Sequence, residues 1–121
     1  MPRVEPSINK YWDSVMMKGI LKIRVLMSVE KSNRYPYALL KCFKKSKHPI
    51  ESGANKSEVY NILSSLEKQG FVRSKQVIVR SRLQRVYSIT DKGKRSLKTF
   101  KSKFSGFMTE IRSLIKSEFN E

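Results

Sequence analysis

Apolar residues recur through the first quarter of the chain at Trp12, Val15, Met16, Gly19, Ile20, Ile23, Leu26 and Met27, with the three- and four-residue spacing of one helix face. A long helix from about Ile8 to Val29 is predicted. Gly19 is its weak point, since a glycine inside a helix costs about 1 kcal/mol relative to alanine. It predicts either a close helix crossing or a break between two helices. Ser32-Asn33-Arg34 reads as a turn, and Pro36 suits the first position of a second helix that reaches about Lys45 and buries Leu39, Leu40 and Phe43. Lys44 to Asn55, with Pro49, Gly53 and short polar residues, reads as a loop.

Val59, Ile62, Leu63 and Leu66 then fall at i, i+3, i+4 and i+7, the buried face of a short amphipathic helix. Ser57, Asn61, Ser64 and Lys68 line its other side, with Tyr60 flanking them. None of these four is acidic and three are short, so the helix can sink into a major groove and reach base edges or phosphates. Asn55 or Ser57 can cap its first amides, and Gly70 supplies a left-handed stop with Phe71 as the apolar contact beyond it. Two strand-favouring runs follow, Phe71 to Val79 and Leu83 to Ile89. Joined through Arg80-Ser81-Arg82 they read as a hairpin without the usual Asn-Gly or Asp-Gly turn. Arg80 and Arg82 tip it, Gln84 and Arg85 stand just behind, and Lys75 lies along the first strand. Arginine on a narrow projection suits the focused negative potential of a minor groove, although charge on an exposed strand also prevents edge-to-edge pairing.

From Thr90, a suitable cap with Asp91 in the first turn, a helical pattern runs to about Phe119. Leu97, Phe100, Phe104, Phe107, Ile111 and Leu114 alternate spacings of three and four like a heptad seam, widened by Met108 and Ile115. A helix of about 28 residues is roughly 42 Å long and overhangs a small domain. Its stripe needs a partner, and a second copy related by a two-fold axis is the economical one. Folding back onto the helix that bears Trp12 and Met16 is the other option, and the two are compatible. The predicted dimer surface is therefore Trp12, Met16, Leu97, Phe100, Phe104, Phe107, Ile111 and Leu114.

The chain has 121 residues, room for one modest core, and carries 26 Lys plus Arg against 10 Asp plus Glu, a formal charge of +16. So large an excess is self-repelling unless a polyanion neutralises it. Hydrophobic content of 39% separates the chain from disordered basic tails. Cys42 is the only cysteine, so neither an internal disulfide nor a thiolate zinc cluster can form, and Cys42 reads as a small helix residue in a reducing cytoplasm. No run approaches the roughly 20 apolar residues of a membrane span, and no signal-peptide pattern opens the chain. His48, the only histidine, precedes Pro49 without a carboxylate or nucleophile at motif spacing, and the glycines are scattered singly. No catalytic site, metal or cofactor is expected. The chain reads as a binder.

Four segments together resemble the PadR family of winged-helix regulators: Lys18-Gly19-Ile20-Leu21-Lys22-Ile23-Arg24-Val25-Leu26; Tyr37; Val59-Tyr60-Asn61-Ile62-Leu63-Ser64-Ser65-Leu66-Glu67-Lys68-Gln69-Gly70-Phe71-Val72; and Arg85-Val86-Tyr87-Ser88-Ile89-Thr90-Asp91-Lys92-Gly93. The resemblance extends from about Lys18 to Phe119. It implies a homodimer joined through terminal helices, a recognition helix in the major groove, wings on flanking DNA and, in many members, repression of transcription. Tyr35-Pro36-Tyr37 replaces a frequent His-Gly-Tyr, and Ser57-Glu58 replaces Gly-Thr, both compatible with a helix start. The last helix carries phenylalanines and no tryptophan, which leaves a small-molecule effector open.

The expectation is a mainly α protein with a small β-hairpin, a winged helix-turn-helix with long N- and C-terminal dimerisation helices. Residues 1–18 form a helical extension, 19–90 the DNA-binding domain and 91–121 the dimerisation helix. A cytoplasmic, nucleoid-associated homodimer would hold double-stranded DNA through Asn55, Lys56, Ser57, Tyr60, Asn61, Ser64 and Lys68, and through Lys75, Arg80, Arg82, Gln84 and Arg85. Asn61 and Ser64 would touch base edges, and Ser57, Tyr60 and Lys68 phosphates. A transcriptional regulator is the first expectation and an architectural or plasmid-partition protein that coats DNA the second. A scaffold that recruits RNA or an acidic protein is the third, although RNA recognition would call for stacking aromatics on an exposed sheet, and Tyr87 reads as core.

Overall fold

Two long helices flank a short helical core and one hairpin in the computed structural model, which describes residues 5–119. The order is α1 (Pro6–Lys31), α2 (Pro36–Lys44), α3 (Pro49–Ser52), α4 (Lys56–Lys68), β1 (Val72–Val79), β2 (Arg82–Ile89) and α5 (Asp91–Phe119). This is the mainly α winged helix-turn-helix that the pattern predicts. Residues 1–4 of the expected extension and 120–121 of the last helix lie outside the described residues.

The core gathers one face from α1, α2, α4, the hairpin and α5. Leu21, Val25, Leu26 and Val29 of α1 meet Leu39, Leu40 and Phe43 of α2, Val59, Leu63 and Leu66 of α4, and Val72, Tyr87 and Leu97 from the hairpin and α5. Ile62, placed on the buried face by spacing, packs against this cluster while only partly buried. Pro36 opens α2 as expected, and Cys42 sits exposed on it. Arg34, expected in a turn, also forms a one-residue antiparallel bridge with Tyr87, donating at 2.9 Å and accepting at 2.8 Å. That bridge ties the base of the wing to the end of α1.

Several boundaries differ from the sequence reading. α1 runs from Pro6 to Lys31 without a break at Gly19, and among the described residues no atom beyond its chain neighbours and its own helical backbone lies within 4 Å of where a Cβ would stand there. Neither the break nor a close crossing occurs within the protomer. The division expected at residue 18 falls inside this continuous helix, shortly before Leu21, its first buried residue among those described. The predicted Lys44 to Asn55 loop contains the helical turn α3. Glu51 in that turn accepts from Ser46 Oγ at 2.6 Å and from Arg24 Nε at 2.9 Å, with Arg24 Nη2 also 2.9 Å away. Burial alone pushes the Glu51 carboxyl up. The bonds from Ser46 and Arg24, with the charges of Arg24 and His48, outweigh burial and hold it below the ordinary carboxylate value.

The hairpin is tighter than expected. β1 and β2 pair antiparallel from Val72↔Ile89 to Val79↔Arg82, leaving only Arg80 and Ser81 in the turn. Both adopt positive φ, 52° and 63°, as a two-residue type I′ turn requires. The right-handed twist of the ribbon imposes that turn on side chains that rarely adopt it.

α5 begins where Thr90 accepts from the Gly93 amide at 3.0 Å and donates to the Gly70 carbonyl at 2.6 Å. Of its 29 residues only Gly93 and Leu97 are buried. At about 1.5 Å per residue the helix extends some 44 Å, and from Lys101 onward every described residue is exposed. Among the described residues, no helix is long and apolar enough to cross a membrane.

Candidate nucleic-acid interface

Local chemistry sets the ends of α4. Asn55 Oδ1 accepts from the Glu58 amide at 2.9 Å, and Glu58 Oε1 accepts from the Asn55 amide at 3.2 Å. This reciprocal box satisfies two amides that the first turn would otherwise leave open, so Asn55, rather than Ser57, is the cap. At the other end Gly70 takes φ 79°, with Phe71 N–H bonded to the Leu66 carbonyl and Gly70 N–H to that of Glu67, both at 2.9 Å. The pair is a Schellman stop, and it delivers the chain directly into the wing.

With Val59, Leu63 and Leu66 fixed in the core, Lys56, Ser57, Tyr60, Asn61, Ser64 and Lys68 are all left exposed. The predicted outer stripe is therefore free to meet a ligand. Lys22 of α1 reaches across to Ser65 Oγ at 3.2 Å, adding positive charge beside the stripe.

The wing is anchored to the same helix. Ser74 Oγ donates to Glu67 Oε2 at 2.6 Å, and Arg85 Nη1 donates to Ser74 Oγ at 2.9 Å. Glu67, the acidic residue nearest the end of α4, is thereby occupied internally. Burial, followed by the charge of Glu67, pushes the adjoining Tyr87 phenol up, so that buried group stays neutral.

Between wing and helices lies an open cleft of about 660 Å³ lined by Pro36, Tyr37, Tyr60, Arg82, Leu83, Gln84, Arg85 and Tyr87. It joins Tyr60 of α4 with Arg82, Gln84 and Arg85 of β2, four of the sequence-predicted residues. Arg80 is exposed at the adjoining turn. Lys75 is not brought to this cleft. It pairs with Val86 and lines a separate depression with Asn33 and Arg73.

A second cleft of about 440 Å³ runs beside the start of α4 and is lined by Tyr37, Leu40, Lys41, Lys44, Ala54, Asn55, Lys56 and Tyr60. Lys56 stands 5.7 Å from the centre of the Tyr60 ring, and Lys41 stands 5.8 Å from that of Tyr37. Each ammonium is held over an aromatic face, beside the positive end of the α4 dipole. Tyr37, Lys41 and Lys44 were absent from the predicted site. Their signal was available, since i, i+4 and i+7 place them on one side of α2.

The predicted dimer residues divide sharply. Leu97 is only 1% exposed, inside the protomer core, so its side chain presents no surface to a second copy. Phe100 is half-buried and stacks on Phe104 with ring centres 5.2 Å apart. Phe104, Phe107, Ile111 and Leu114 are exposed, as are Trp12 and Met16 on α1.

The sequence profile of the transcriptional regulator PadR-like family matches residues 25–99. Among solved structures, the chain is similar to a PadR family transcriptional regulator from Eggerthella lenta, with 22% identity, 93% of this chain and 96% of that chain covered, and a TM-score of 0.78. It is also similar to a PadR-like transcriptional regulator from Bacillus cereus, at 22% identity over 84% of this chain and 96% of that one, with a TM-score of 0.66. A transcriptional regulator from Clostridium thermocellum aligns at 19% identity over 85% and 99%, with a TM-score of 0.66. No curated protein sequence matches the chain. The structural likenesses carry the fold.

Proposed function

The chain belongs to the PadR-like family of transcriptional regulators, DNA-binding proteins rather than enzymes, and on that premise we propose that it is a sequence-specific repressor that grips duplex DNA as a homodimer. The observation that carries this reading is the exposed, acid-free stripe of α4 standing beside an arginine-tipped wing across one cleft. Asn61 and Ser64 face base edges in the major groove. Ser57, Tyr60 and Lys68 hold phosphates with Asn55, Lys56 and the α2 lysines Lys41 and Lys44, while Arg80, Arg82, Gln84 and Arg85 serve the flanking minor groove. Lys75, on the far side of the wing, acts only through its charge.

Dimerisation belongs to the arms. Residues 1–18 and 91–121 bring Trp12 and Met16 together with Phe104, Phe107, Ile111 and Leu114 of two protomers, and residues 19–90 form each reading head. Two half-sites about 34–36 Å apart, or a multiple of that spacing, match such a pair. A charge of +16 favours retention on the nucleoid at cellular salt.

Footprinting on genomic fragments at near-physiological salt tests the reading. A repressor protects one palindromic site of fixed length, whereas protection that lengthens with concentration describes a coating protein and rejects site-specific regulation. Within a protected site, Asn61→Ala should cost about 1–3 kcal/mol and far less on random duplex. Equal losses on both would remove Asn61 from sequence reading.

A further inference from the structure

Ile78 is 75% exposed and Leu83 is 63% exposed, and the register makes them cross-strand partners. Directly opposed residues of a ribbon point to the same face, so the two side chains form one apolar knob. Among the described residues Ile78 is the most exposed of the large apolar side chains. One residue pair, Val79 and Arg82, separates the knob from the turn at Arg80 and Ser81.

The knob stands one residue pair from the hairpin turn, where a partner can reach both side chains. The surroundings select a polyanion, because Arg80 and Arg82 stand at the tip and Arg85 follows two residues behind Leu83 on the same strand. Leu83, Arg82 and Arg85 also line the cleft that reaches Tyr60 of α4, so the knob continues the proposed DNA surface. Apolar side chains flanked by basic ones are the means by which proteins enter a base step from the minor groove, unstack it and kink the duplex.

We propose that the wing is a wedge: Ile78 and Leu83 enter a base step from the minor groove while Arg80 and Arg82 hold the groove beside it, so that the protein bends the DNA it binds. This rests on the DNA-binding reading above and adds a deformation to it. Pyrimidine–purine steps such as TpA unstack most easily. The wing therefore favours them at positions where no base edge is read.

The test uses the full chain and an A·T-rich duplex of roughly 40 base pairs, dye-labelled at both ends, with 2-aminopurine placed in its TpA steps. Wild-type protein should bring the ends together by a bend of about 20–90° and raise the 2-aminopurine fluorescence as the step opens. Ile78→Thr with Leu83→Thr keeps strand-favouring side chains. It should bind the duplex with the bend and the fluorescence rise both lost, and the single Leu83→Thr variant should lose part of each. Wild-type binding to a duplex that stays straight overturns the wedge and leaves DNA binding intact. A double variant that bends DNA as strongly as wild type also overturns it. Absence of wild-type binding to any duplex overturns both proposals together.

Discussion

The body of the molecule and its two arms carry the same apolar periodicity and treat it in opposite ways. In the body, Val25, Leu39, Val59, Leu63 and Leu97 are at most 1% exposed. In the arms, Trp12 and Met16 of α1 and Phe107 and Leu114 of α5 are between 55% and 60% exposed. Both long helices contain the two regimes, since α1 exposes Trp12 and Met16 before burying Val25, and α5 buries Leu97 and leaves its stripe open from Phe104 onward. Periodicity therefore establishes that a face is apolar without saying what covers it. The body covers its own face, whereas the arms leave theirs open, the face on which the proposed pairing rests.

Leu63→Ala should destabilise the fold by about 2–5 kcal/mol, because the side chain is removed from a closed core. Leu114→Ala should change unfolding by no more than about 0.5 kcal/mol at concentrations where the chain is monomeric. Denaturant titrations of both variants in dilute solution decide it. Similar losses would mean that the arm is covered by its own protomer.

The glycines sharpen the same contrast at a smaller scale. A Cβ at Gly93 would stand 2.1 Å from the Phe71 carbonyl oxygen and 2.7 Å from Ile89 Cγ1, so Gly93→Ala should cost about 1–3 kcal/mol as backbone is displaced. At Gly106 nothing among the described residues beyond its chain neighbours and its own helical backbone lies within 4 Å of the corresponding Cβ. Gly106→Ala should instead stabilise the monomer by about 0.5–1 kcal/mol through helix propensity. Thermal melts at low concentration check both signs.

A third effect is smaller and belongs to the body alone. The bonds from Ser46 and Arg24 hold the Glu51 carboxyl below the ordinary carboxylate value of 4.5, so its contribution is complete above that pH and is lost as pH falls through the lower folded value. Glu51→Gln should be less stable than wild type at neutral pH, and the two stabilities should converge as pH drops below about 4.5. A constant gap across that range would show that the Arg24–Glu51 contact does not couple to protonation. The arms contain no comparable buried ion pair among the described residues.

The same division explains what could be read from residues alone. The ends of α4 were legible because the Asn55 cap and the Gly70 stop act within a few positions. The wing was legible from two strand-favouring runs. Its turn was not, because Arg80 and Ser81 adopt a backbone conformation usually reserved for asparagine and glycine. α3 is not legible locally, since its anchor is Arg24, 27 residues earlier in the chain. Tyr37, Lys41 and Lys44 are not singled out by the pattern, because the buried face of their helix, Leu39, Leu40 and Phe43, gives the stronger signal. Leu97 keeps the spacing of the seam although it lies in the core, because spacing continues across the point where the protomer's core ends.

Sedimentation of the protein with a labelled duplex that contains its protected site, at near-physiological salt, tests the central claim most directly. Free protein should sediment at twice the 14.1 kDa chain mass. The complex should hold two chains per duplex, and that ratio should stay constant as protein is added beyond saturation. A single chain per duplex, a ratio that climbs without limit, or a monomer that leaves the duplex unbound would contradict the claim that paired arms present two reading heads to one double helix.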